Sequence, residues 1–181
     1  MPDRTPAGQL EEARLRYVLG YQLAQASIVT QQIFDAEVGG PLQLRPVEYT
    51  VLTLIDENPG GSLSRLARAL SVKAPNITVM VDRLEERGLV KRLHNAQDRR
   101  AQLLHTTRKG AELARRATRA IIDAERPAMQ LTPGEHAMLV ELLHKVACAR
   151  ASSKPAATDT AAGAPPKARP AAAPSAAARR A

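Results

Sequence analysis

Residues 62–90, SLSRLARALSVKAPNITVMVDRLEERGLV, decide the fold. Ser62 is an oxygen-bearing N-cap for a short helix whose Leu63, Leu66, Ala67 and Leu70 form one apolar stripe. Ser71-Val72-Lys73 interrupts the stripe. Pro75 then sits in the first turn of a second helix, where a missing N–H costs nothing because that turn has no intrahelical acceptor. Ile77, Met80, Val81 and Leu84 supply the core face of this second helix, and Gly88 closes it as the residue just past the C-cap. Two short helices joined by a three- or four-residue turn predict a helix-turn-helix.

The flanks extend this reading. Leu89 to Thr107 holds a short apolar run (Leu89, Val90, Leu93), a polar tip from His94 to Arg100, and a second run (Leu103, Leu104, Thr106, Thr107). That texture predicts a β-hairpin with a basic tip, a wing attached to the second helix. Upstream, Pro46 and Glu48 open a helix through Val51, Leu52 and Ile55 that stops at Asn58-Pro59-Gly60-Gly61. Further upstream, Leu15, Val18, Leu19, Leu23, Ala26, Val29 and Ile33 recur at three- and four-residue steps, predicting one long amphipathic helix from Leu10 to Val38 broken by Gly39-Gly40-Pro41. Downstream, helices are expected from Lys109 to Met129 and after Thr132-Pro133-Gly134-Glu135, a capping box. The fold class is mainly α with a small β-hairpin. Residues 1–9 read as an N-terminal extension and 10–150 as one domain. The Ala/Pro-rich basic stretch 151–181 reads as a disordered tail, having almost nothing large to bury.

The chain carries 26 Lys and Arg against 18 Asp and Glu, a formal charge of +8, so a polyanionic partner is expected. The excess is local: residues 62–110 hold eleven Lys or Arg and four Asp or Glu, and the tail holds five basic residues and Asp159. A single cysteine, Cys148, excludes an internal disulfide, and no apolar run is long enough to span a membrane. Met1-Pro2-Asp3-Arg4 lacks the apolar stretch of a secretory signal, and a reduced, cytoplasmic protein is expected.

Three segments together give the sequence a family likeness: Leu63-Ser64-Arg65-Leu66-Ala67-Arg68-Ala69-Leu70, then Val81-Asp82-Arg83-Leu84-Glu85-Glu86-Arg87-Gly88-Leu89-Val90, then Asp98-Arg99-Arg100 followed by Leu104, Thr107 and Gly110. In this order and spacing they resemble a MarR-family regulator over nearly all of residues 10–150. The resemblance implies a winged helix-turn-helix at about 46–110 that binds double-stranded DNA. It also implies a homodimer formed through terminal helices at about 10–38 and 111–150. The recognition helix would enter a major groove and the wing would lie at a minor groove of a pseudo-palindromic operator, usually in repression. With Ile77, Val81 and Leu84 turned to the core, Pro75, Asn76, Thr78 and Val79 face outward for base edges, with Arg83 one turn on for the backbone. Ser62, Arg65, Lys73 and Arg99 complete the expected DNA-binding set. Arg100 resembles the family's minor-groove arginine and Asp98 the residue that braces the wing. Three positions depart from the pattern: Val79 in place of a polar reader, Arg45 where a capping Thr is common, and Thr106 in place of an apolar residue.

The resemblance also implies an effector pocket between the dimerisation helices and the DNA-binding lobe. Tyr17, Tyr21, Phe34 and Tyr49, with Arg16 and Arg45 nearby in sequence, suit a small aromatic carboxylate, since rings stack and a guanidinium holds a carboxylate; core packing of the rings is the alternative. Glu141, His144 and Cys148 share a helix face that would form a metal- or redox-responsive site or simply pack and solvate a dimer helix. A further alternative is an architectural, nucleoid-type DNA-binding protein that uses the basic tail. No converging nucleophile, base and ligand set points to an enzyme, and no cofactor is expected.

Overall fold

The computed structural model describes residues 4–94 and 102–152. They divide into two units, residues up to Gly134 and those from Glu135 onward. In the first unit a 3-10 turn (Ala13–Tyr17) precedes α1 (Leu19–Phe34), followed by α2 (Pro46–Glu57), α3 (Leu63–Leu70), α4 (Ala74–Glu86), β1 (Val90–His94), β2 (Gln102–Thr106) and α5 (Arg108–Ala128). Helix α6 (Pro133–Ser152) carries the second unit. The basic tail lies outside the described residues, as does the hairpin tip.

The core belongs to the helix-turn-helix and its neighbours. Val51, Leu52 and Ile55 of α2, Leu66 of α3, Ile77, Val81 and Leu84 of α4, Leu89, Val90 and Leu104 of the hairpin, and Ala114 and Ala117 of α5 form one cluster. Each helix contributes residues at three- and four-residue steps, as its apolar stripe requires. Helix α5 can approach closely because its fully buried positions are the small Gly110, Ala114 and Ala117, with Leu113 and Ile121 packed partly buried beside them.

Two helix ends are closed by the same device. Gly88 stands at φ +68°, its N–H donates to the Glu85 carbonyl (2.8 Å), and the Leu89 N–H donates to the Leu84 carbonyl (2.9 Å). This is the Schellman arrangement, which needs a left-handed residue just past the helix. Helix α3 ends likewise, with Val72 N–H on the Ala67 carbonyl (3.0 Å), but the left-handed position is Ser71 at φ +52°. A side chain there costs about 1 kcal/mol that glycine avoids. Ser71→Gly is therefore expected to raise the urea midpoint and to lift Tm by roughly 2–4 °C.

Three details differ from the sequence reading. The first helix does not run from Leu10 to Val38: extended backbone at Val18 (ψ 107°) separates the 3-10 turn from α1. Nor do Gly39-Gly40-Pro41 stop it, since helical structure continues through a π turn (Asp35–Gly39) to Leu42 and ends only at left-handed Gln43. Val38, fully buried, sits in that π turn, so packing holds the chain helical where glycine propensity would release it. Finally, Gly61 is part of the wing sheet: the Leu104 N–H donates to the Gly61 carbonyl (3.0 Å) and the Gly60 N–H to the Leu104 carbonyl (2.9 Å), an antiparallel rung beside β2.

Candidate nucleic-acid interface

Helix α4 presents its N-terminal half to solvent. Ile77, Val81 and Leu84 are fully buried, while Lys73, Pro75, Asn76, Thr78, Val79 and Arg83 are exposed. The Thr78 hydroxyl donates to the Ala74 carbonyl (3.1 Å), so its remaining capacity is to accept, as a cytosine or adenine amino group would require. Val79, half exposed, offers two methyl groups and no hydrogen bond. Ser62 caps α3 by accepting the Arg65 N–H at 3.4 Å and lies 3.0 Å from the Ser64 hydroxyl. Arg65, Arg68, Lys73 and Lys91 are exposed and carry no ion pair among the described residues. Asp98, Arg99 and Arg100 lie outside the described residues.

The rest of the basic segment is engaged internally, which its composition did not reveal. Arg92 of β1 reaches back to α4, with Nη1 2.7 Å from Glu85 Oε2 and Nη2 on Asp82 Oδ1. Its side chain is only 20% exposed. Arg87 donates to the Gln43 (2.8 Å) and Leu42 (3.2 Å) carbonyls at the end of the first helical segment, and Lys109 donates to the Arg87 carbonyl (3.1 Å). Glu48 is buried, accepts the Arg45 N–H (3.1 Å) and faces Arg83 (3.9 Å) and Arg87 (3.8 Å). It thereby supplies the cap that Arg45, standing before Pro46, does not. Arg83 is thus placed beside Glu48 while remaining about half exposed (48%). Thr106, the other departure from the pattern, donates its hydroxyl to Asp56 Oδ1 at 2.7 Å, tying β2 to α2.

The start of α5 locks the end of α4. Thr107 caps α5 by accepting the Gly110 N–H (3.0 Å), and its hydroxyl donates to the Gly88 carbonyl (2.7 Å). Its N–H donates to the Leu89 carbonyl (2.9 Å). At Gly110 a Cβ would stand 1.9 Å from the Leu89 carbonyl oxygen, so only glycine permits this approach. A recognition-helix candidate is therefore held by the wing through Arg92, by α2 through Glu48, and by α5 through Thr107 and Gly110. Asp82 and Glu85 spaced three apart on one helix face were the available sign of a cation partner; nothing in sequence spacing identified Arg92 as that partner.

The proposed effector residues are only partly brought together. The rings of Phe34 and Tyr49 lie 5.8 Å apart at 52°, and the Tyr49 hydroxyl is 2.8 Å from Thr118 Oγ1. Tyr17 is 85% exposed, and Arg45 is exposed at the start of α2. Tyr21 donates to Glu12 Oε1 (3.1 Å); loss of hydration and the adjacent Glu12 carboxylate push its phenol above the ordinary tyrosine range. Arg16 offers its carbonyl to the Gln22 side chain (3.0 Å). The cleft of about 290 Å³ that does open between α2 and α5 is lined by other residues, among them Thr53, Asp56, Arg115, Thr118 and Arg119. The Thr53 hydroxyl there is buried without a hydrogen-bond partner. Arg115 and Arg119 fell outside the reading of the sequence because one helical turn between two exposed arginines is the ordinary spacing of a solvated face.

On α6, Cys148 Sγ lies 3.5 Å from His144 Nε2, and both residues are exposed. Among the described residues no three His, Cys, Asp or Glu side chains gather as a metal site, and no helix is long and apolar enough to cross a membrane.

The profile of the MarR family matches residues 44–101, from just before α2 to the end of the hairpin tip. A regulatory protein assigned to the hcr operon of Thauera aromatica is 29% identical over 146 residues, covering 80% of this chain and 88% of that protein. The solved structure of the transcriptional repressor CouR bound to a 23-mer DNA duplex is 32% identical, covers 76% of this chain and 98% of its own, and superposes with a TM-score of 0.69. A mutant MarR from E. coli complexed with operator DNA is 28% identical, covers 73% of this chain and 95% of its own, and gives a TM-score of 0.63. With an exposed recognition helix, a hairpin braced against it and a 32% identical relative matched along nearly its whole length, the chain belongs to the MarR family of winged-helix transcriptional regulators, which bind DNA and are not enzymes.

Proposed function

We propose that the protein is a homodimeric, effector-responsive repressor of the cytoplasm that binds a pseudo-palindromic operator. The observation that carries this reading is the outward face of α4, where Pro75, Asn76, Thr78 and Val79 are exposed while the helix behind them is fastened on three sides. These residues read base edges, and Ser62, Arg65, Lys73 and Arg83 hold phosphates. Asp98, Arg99 and Arg100 form the wing tip at the minor groove.

Apolar exposure supports the dimer. Leu19, Leu23 and Val29 on α1 and, separately, Met138, Leu139, Leu142 and Val146 on α6 are between 38% and 64% exposed, an apolar face on each helix that a second copy would bury. Two copies would set the recognition helices about 34–36 Å apart, one helical turn of DNA. The effector is a small aromatic carboxylate. Phe34 and Tyr49 supply rings, Arg115 and Arg119 join Arg16 and Arg45 as cations for its charge, and Tyr17 and Tyr21 lie on the dimer side.

Fluorescence anisotropy against the duplex upstream of the protein's own gene and a scrambled duplex tests the reading. Specific binding should weaken steeply with salt, and Arg100→Ala should lower operator affinity about tenfold to hundredfold. Equal affinity for scrambled DNA, or a monomer in sedimentation, overturns it. Loss of most binding on truncation after Arg150 would instead favour charge-driven, architectural binding through the tail.

A further inference from the structure

The outward side chains of α4 stand in a definite order around the helix. Pro75 and Val79, four residues apart, lie one turn above the other as an apolar ridge, with Thr78 on one flank and Asn76 on the other. The buried Ile77, Val81 and Leu84 occupy the opposite side. All four outward residues are exposed, Val79 by 51%. No charge stands among them. The nearest charged residues along the chain are Lys73, the N-cap, then Asp82, held by Arg92, and Arg83, which faces Glu48 at 3.9 Å.

The chemistry of each side chain is narrow. Pro75 and Val79 offer hydrocarbon alone. The Thr78 hydroxyl uses its proton on the Ala74 carbonyl (3.1 Å), leaving lone pairs to face outward. Asn76 carries one amide, a donor beside an acceptor. Guanine shows the major groove two acceptors, and its cytosine partner shows one amino group and no methyl, so a G·C pair leaves the ridge with nothing to pack on. Adenine shows N7 and an amino group, which an amide matches in full, and thymine supplies a 5-methyl group. Thr78 alone would accept a cytosine amino group equally; the apolar ridge is what fixes the pair.

We propose that α4 reads A·T pairs, with Val79 and Pro75 packed on a thymine 5-methyl group in each half-site and Thr78 accepting the amino group of a neighbouring adenine. This rests on the major-groove placement of α4 proposed above, and adds which base pair the half-site carries and which of its atoms are felt.

The test selects a preferred duplex from a randomised pool with the full chain, then measures affinity by fluorescence anisotropy. Thymines are replaced one position at a time by deoxyuridine, which lacks only the 5-methyl group. That methyl lies in the major groove, so a wing at the minor groove does not feel the change. At one position the replacement should weaken binding about fourfold per half-site, the effect of one buried methyl. In Val79→Ala, which substitutes an exposed residue by a better helix former, the same replacement should cost less than about twofold. Replacing a neighbouring adenine by unsubstituted purine should likewise weaken binding to the parent but not to Thr78→Val, which keeps the shape and loses the oxygen. A selected half-site without thymine, a deoxyuridine scan that is silent throughout, or effects undiminished in the two variants overturn the proposal while sequence-specific binding stands. A pool that yields no preferred sequence removes the operator reading itself, and this one with it.

Discussion

Gly110→Ala is expected to be the most damaging single methyl that can be added to this protein, costing at least about 3–4 kcal/mol, a large part of a typical domain's total stability. The added Cβ would lie 1.9 Å from the Leu89 carbonyl oxygen and 2.8 Å from its carbonyl carbon. Both are backbone atoms, so no side-chain rotation relieves the overlap. Leu89 cannot retreat either, because its N–H closes the Schellman turn of α4 and its carbonyl accepts the Thr107 N–H. Replacing glycine by alanine within a helix ordinarily gains about 1 kcal/mol, so the sign of the result separates the steric argument from propensity. Gly20, in α1 with open space around it, is the control: Gly20→Ala should be neutral or stabilising by up to about 1 kcal/mol. Urea denaturation of both variants measures the contrast, and a Gly110→Ala protein as stable as the parent would refute the packing described for α5.

The second large effect is expected at Arg92. Arg92→Leu keeps most of the buried stem but leaves Asp82 and Glu85 facing one another one turn apart without their cation. Those carboxylates are 43% and 38% exposed, so water screens part of the loss, and a destabilisation of about 2 kcal/mol is expected rather than the larger cost of a fully buried broken pair. The functional effect should exceed the thermodynamic one. Arg92 is the ion-pair link between β1 and α4 among the described residues, so its loss frees the wing to move relative to the recognition helix, and operator affinity should fall about tenfold or more. Adding Asp82→Asn and Glu85→Gln should restore much of the stability while operator affinity stays low, because the carboxamides remove the repulsion without rebuilding the brace. Recovery of both together would mean that Arg92 acts only by neutralising charge.

The basic segment is only partly available to a polyanion. Eleven Lys or Arg between 62 and 110 suggest a continuous cationic face, yet Arg87, Arg92 and Lys109 point inward to carbonyls and carboxylates. Among the described residues the exposed cations of this segment without an ion pair are fewer: Arg65, Arg68, Lys73 and Lys91, with Arg83 shared with Glu48, beside the proposed contacts of Arg99 and Arg100. With fewer cations exposed, each matters more to the salt dependence of binding, since each contributes its own released counterion.

Local architecture is legible in the chain's own residue order. Apolar residues at three- and four-residue steps, Ser62 as a cap, Pro46 and Pro75 in first turns and Gly88 past a helix end are short-range signals, and each of the helices from 46 to 128 begins and ends close to where they say; the Thr107 cap shows only in the structure. Tertiary structure alone decided what crosses between elements: the Gly61 rung on Leu104, the grip of Arg92 on Asp82 and Glu85, the burial of Glu48, the Leu89 carbonyl against Gly110, and the cleft between α2 and α5. Caps and periodicity act over one or two turns, so they are written in neighbouring residues. A charge pair, a rung or a cavity wall joins residues 7 to 69 positions apart, and which cation meets which carboxylate is settled by how the elements pack, a collective outcome that no local pattern encodes.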